Sequence, residues 1–102
     1  MITAFLSAII TVMTNIAKHI IFSGRVQGVG FRFTAQRIAL RYELTGFVRN
    51  LPGGSVEMLA QGHPDDVRDC LRDIGKSFPG IRDTKIEKIE INPKYRGFQI
   101  TF

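Results

Sequence analysis

The sequence predicts an α+β domain in the order strand, helix, strand, strand, helix, strand. Apolar residues recur at alternate positions in several short stretches, as strands require, and three or four positions apart in two longer ones, as helices require. Gly and Pro clusters punctuate these stretches at short intervals. At 102 residues with 44% apolar composition, the chain suffices for one compact core and leaves no room for separate cofactor and substrate domains.

Residues 18–26 place Ile20, Phe22, Gly24 and Val26 on one face, expected to meet the core, with His19, Ile21, Ser23 and Arg25 on the other. After the glycine-punctuated QGVG comes FRFTAQRIALRYEL, where Phe31, Ala35, Ile38 and Tyr42 repeat at helical spacing and Gly46 lies just past the end. GFVRNL (46–51), the Pro52-Gly53-Gly54 turn and SVEMLAQ (55–61) then form a predicted β-hairpin. A second helix starts at about Pro64, with Asp65 and Asp66 near its positive end and Val67, Leu71, Ile74 and Phe78 along its apolar stripe; Pro79-Gly80 stops it. Residues 84–91 alternate again, Asn92-Pro93 breaks the run, and residues 97–102 close the chain as a further strand. This βαββαβ order is the split-βαβ, ferredoxin-like arrangement: an antiparallel or mixed sheet with two helices on one face, here with an extra C-terminal strand available.

Fourteen Lys plus Arg against nine Asp plus Glu give a net charge of +5, which favours an anionic partner without choosing among phosphorylated metabolites, nucleic acid and acidic surfaces. Cys70 is the single cysteine, so an intramolecular disulfide and a cysteine metal cluster are excluded. Its position on the apolar side of the second helix predicts a buried structural thiol. Residues 1–12, MITAFLSAIITV, are apolar and uncharged, too short to span a bilayer and without the basic start of a signal peptide. They are expected to be a peripheral extension or a start-site artefact ahead of Met13, with residues 13–102 forming the single domain and no membrane partner.

The stretch GRVQGVGFR, residues 24–32, is suited to an anion. Glycines let backbone N–H groups converge, a helix N-terminus adds unsatisfied donors and positive dipole, and Arg32 supplies a planar, permanently charged fork. Taken alone it fits a plain glycine-rich connection with a surface arginine equally well. It is not a mononucleotide P-loop, because Gly-Phe-Arg stands where Gly-Lys-Ser is required, and it lacks the third glycine of a dinucleotide fingerprint. Gly75-Lys76-Ser77 is a decoy, since the partner glycine would fall at Cys70. Asn50 precedes a turn, where asparagine is by itself more often a conformational choice than a functional one.

VQGVGFR followed, after a helix, by GFVRNLPGG resembles the paired signatures of the acylphosphatase family, and the resemblance extends from about Lys18 to Phe102. It implies hydrolysis of small acyl phosphates to a carboxylate and inorganic phosphate. Arg32 would hold the phosphate together with backbone N–H groups of the loop Arg25, Val26, Gln27, Gly28, Val29, Gly30 and Phe31, and Asn50 would hold the attacking water. It implies no cofactor and no metal, and the substrate's own phosphate as acceptor of the water proton. Arg25 and Arg49 flank the motifs and are expected to be surface charges that attract substrate; His19 and His63 stand in no metal spacing and are expected in surface or capping roles. The expected protein is a cytoplasmic monomer. The main rival is an RNA-binding module of the same fold, but no nucleic acid is expected because SVEMLAQ offers no aromatic for base stacking. A carbamoyl-phosphate-handling protein is the other alternative.

Overall fold

A computed structural model gives the structure of the chain and describes residues 15–102. Its elements are β1 (Ile16–Gly24), α1 (Phe31–Arg41), β2 (Thr45–Asn50), β3 (Val56–Gly62), α2 (Pro64–Ser77), β4 (Ile81–Ile89) and β5 (Phe98–Thr101). The expected βαββαβ order is present, and the extra C-terminal strand is β5. The sheet order is β4-β1-β3-β2-β5. β1 runs antiparallel to β3 and β4, β2 runs antiparallel to β3, and β5 joins β2 in parallel, so the sheet is mixed.

The core lies between one sheet face and the two helices. Ile20 and Phe22 of β1, Val48 of β2 and Val56, Met58 and Ala60 of β3 meet Phe31, Ala35 and Ile38 of α1 and Val67, Cys70 and Ile74 of α2, all buried. Period-2 alternation in the strands and the 3.6-residue stripe of the helices produce this single apolar layer. Phe31 links the two helices, its ring centroid 5.0 Å from Phe22 and 4.5 Å from Phe78.

Element ends differ from the sequence expectation for local reasons. β1 stops at Gly24, where its register against β4 shifts, yet Val26 beyond it is still fully buried. α1 ends at Arg41 because Glu43 adopts a left-handed φ of 57°, and the N–H groups of Tyr42, Glu43 and Leu44 close on the carbonyls of Ala39 and Leu40. Gly46 answers to the sheet more than to the helix end. Its φ is +139°, and an added Cβ would lie 1.8 Å from the Leu59 carbonyl oxygen, so only glycine lets β2 approach β3 there. β4 is exposed from Arg82 to Lys88, and its charged side chains guard that sheet edge.

Candidate active site

The end of β1, the start of α1 and the end of β2 meet at one end of the sheet. The loop at residues 25–30 enters α1 through Gly28 and Gly30, at φ 74° and 76°. A Cβ at either would meet nothing within 4 Å, so glycine serves the left-handed backbone there and not a tight fit. No side chain caps the helix at Gly30. The Arg25 N–H donates to Gly80 O at 2.9 Å and the Val26 N–H to Gly24 O at 3.1 Å. Among the described residues, the N–H groups of residues 27–31 find no protein acceptor. Five adjacent donors at a helix start are therefore available to an anion. Of the expected donor set, residues 25–31, Arg25 and Val26 direct their N–H groups to the protein.

Arg32, in the first turn of α1, and Asn50, the last residue of β2, line one small cavity of about 130 Å³ with Val26, Gly28, Gly30, Phe31 and Phe33. Asn50 arrives there by strand alternation, on the same face as buried Val48. Gln27 does not enter the cavity. Its amide donates two hydrogen bonds, to Leu51 O and Ser55 O, both at 2.8 Å, tying the loop to the turn that follows Asn50. Arg25 and Val29 border a different cleft, of about 490 Å³, with Phe78, Pro79, Gly80 and Arg82.

Two residues escaped the sequence reading. Phe33 lines the cavity at 70% exposure; an aromatic off the Phe31–Ala35–Ile38 stripe was the available signal. The Phe102 ring lies 5.0 Å from the Arg32 guanidinium carbon, close enough for a cation–π contact, and nothing local in the sequence pairs the two.

The remaining polar candidates lie elsewhere. Alternation sends Arg49 to the opposite sheet face from Asn50, where its Nε donates to Glu57 Oε1. His19 Nε2 meets Glu57 Oε2 at 2.7 Å. Arg49 is thus a surface charge, as expected, at 44% side-chain exposure, and one paired with Glu57. Burial pushes the Glu57 carboxyl upward, but the His19 and Arg49 hydrogen bonds overrule it and the net position is below the ordinary value. His63 caps α2, its Nδ1 accepting the Asp65 N–H at 3.2 Å. Cys70 is fully buried, and burial pushes its thiol up to about 12, which suits the expected structural role. Among the described residues, no three His, Cys, Asp or Glu side chains are grouped to hold a metal ion, and no helix is long and apolar enough to cross a membrane.

A small cavity pairing a guanidinium with an amide beside unsatisfied N–H groups can hold a tetrahedral oxyanion and orient one water. A family model described as Acylphosphatase matches residues 18–100. The chain is 43% identical over 86 residues to the acylphosphatase of Geobacillus thermodenitrificans, covering 82% of this chain and 92% of the relative. The crystal structure of acylphosphatase from Bacillus subtilis superposes with a TM-score of 0.80 at 30% identity, over 85% of this chain and 99% of that one. Full-length HypF, in its phosphate- and nucleotide-bound form, matches with a TM-score of 0.75 and 28% identity over 86% of this chain but 12% of its own length. These likenesses do not favour an RNA-binding module, and a family match that spans both motifs and all but the outermost residues of the described sheet leaves one conclusion: the chain belongs to the acylphosphatase family of hydrolases.

Proposed function

We propose that the chain hydrolyses the carboxyl–phosphate anhydride of small acyl phosphates, with Arg32 and the loop amides binding the phosphoryl group and Asn50 orienting the water. The observation that carries this reading is the meeting of Arg32 and Asn50, from separate elements, in the small cavity beside the open N–H groups. Water attacks phosphorus as the bond from phosphorus to the acyl oxygen breaks, and the carboxylate leaves with the bonding pair. That leaving group is good enough to need no strong general acid. The water proton passes to a phosphoryl oxygen of the substrate itself. The protein's contribution is a fixed set of donors aimed at oxygens whose charge redistributes along the reaction, together with positional control of the nucleophile by the Asn50 amide.

Among the described residues, the side chains around the cavity are arginine, asparagine and apolar groups, a set with no carboxylate, imidazole or thiolate to hold a cation, and this supports a metal-independent reaction. The charged outer edge of β4 supports a monomer, and the single, buried thiol fits a reducing cytoplasm. Residues 13–102 form the proposed catalytic unit, with residues 1–12 outside it; β1 starts at the far end of the sheet from the cavity.

Hydrolysis of benzoyl phosphate in the presence of EDTA tests the reading. Arg32→Ala should lower kcat/KM by at least tenfold and up to about 150-fold, the equivalent of about 1.5–3 kcal/mol for a charge-assisted contact. Asn50→Ala should lower kcat while inorganic phosphate still inhibits at its wild-type constant. A chain starting at Met13 should keep wild-type kinetics. Near-normal turnover by Arg32→Ala, or abolition of activity by EDTA, would overturn the assignment.

A further inference from the structure

We propose that the cleft on the β4 side of the loop receives the acyl end of the substrate, and that Arg25 and Arg82 select acyl groups carrying a second anionic group. This rests on the acyl-phosphate reading above and adds the identity of the other half of the substrate.

Direction comes first. In an in-line displacement the leaving oxygen departs opposite the attacking water. Asn50, at the end of β2, lies to one side of the β1 loop, with β3 between the two strands. β4 flanks β1 on the other side, Gly24 pairing with Ile81 at the same end of the sheet. With water held on the β2 side, the acyl oxygen leaves toward β4. The cleft of about 490 Å³ lies there, bordered by Arg25, Val29, Phe78, Pro79, Gly80 and Arg82. Val29 belongs to the same loop whose Gly28 and Gly30 line the phosphoryl cavity, so one short segment separates the two compartments.

The walls indicate what the cleft takes. Val29, Phe78 and Pro79 offer apolar surface to a short carbon chain. Arg25 and Arg82 are exposed at its border, and neither has an acidic partner among the described residues; Arg32, Arg37, Arg41 and Arg96 share that state, but none of them borders the cleft. Two uncommitted guanidinium groups beside an apolar cleft match an acyl chain that ends in a carboxylate or phosphate.

The test compares succinyl phosphate with butyryl phosphate, which share a chain length and differ in a terminal carboxylate against a terminal methyl, at one fixed ionic strength. The wild-type chain should prefer succinyl phosphate in kcat/KM. Arg82→Gln should cut kcat/KM for succinyl phosphate by about five- to tenfold and leave butyryl phosphate within about twofold. Lys85→Gln removes the same charge from the opposite face of β4, across from Ile21, and should leave the ratio unchanged. An equal loss of preference in Lys85→Gln would reduce the effect to net charge and overturn the subsite. So would a wild-type ratio near one, or a ratio that Arg82→Gln does not move. If butyryl phosphate is hydrolysed and the ratio is insensitive, the cleft assignment falls alone; if neither substrate is hydrolysed by folded wild-type chain, the acylphosphatase reading falls with it.

Discussion

Glu57 engages two basic side chains from the middle of the open sheet face. His19 of β1 and Arg49 of β2 both reach it on β3, so one carboxylate ties three strands across their shared face. Its folded-state pKa lies below the usual 4.5 because those hydrogen bonds outweigh the upward push of burial. A depressed carboxylate stabilises the fold above its unfolded pKa, and that contribution is lost as pH falls through the folded value. Glu57→Gln should therefore flatten the fall in urea-unfolding stability below about pH 4.5; an acid limb as steep as the wild type's would show that other carboxylates carry it. Strand alternation by itself sends Arg49 and Asn50 to opposite faces. The pairing of Arg49 with Glu57 was not legible, because it depends on the β2–β3 register, which a hydrophobic pattern constrains only by face.

Between elements, Gln27 does the most for the site's geometry. Its amide spans from the loop to the carbonyls on both sides of the Pro52–Gly54 turn, so the segment beside Arg32 and the segment after Asn50 are fixed to each other as well as to the sheet. Gln27→Ala should destabilise the fold by about 1–2 kcal/mol and lower kcat/KM for benzoyl phosphate by about tenfold, read from urea unfolding and steady-state kinetics. A variant that loses the stability but keeps full activity would make the brace purely structural. The strands and helices were largely readable from periodicity, and the association of Arg32 with Asn50 was readable only because two motifs resembled a family's pair. The brace was hidden, since Gln27 looked like one more member of a glycine loop and its acceptors are main-chain atoms that carry no sequence signal. Phe102 beside Arg32 was hidden for a similar reason: β5 joins β2 in parallel across the sheet from β4, and no local pattern names a partner strand.

On the scale of the whole molecule, the order β4-β1-β3-β2-β5 sets the roles of the two sheet margins. The β4 margin is exposed and charged and borders the cleft assigned to the acyl group; the β2 side carries Asn50. β3 stands between the strand that launches the loop and the strand that ends in Asn50, buried along most of its length. The strand that ends in Asn50 is thus fixed two strand spacings, about 4.8 Å each, from the strand that launches the loop toward Arg32. The site is expected to open only when that ladder does. The rate should follow a straight Arrhenius line up to the melting transition, and catalysis should vanish at the same temperature as the circular dichroism of the sheet; activity lost several degrees earlier would mean that the loop melts ahead of the ladder that holds it.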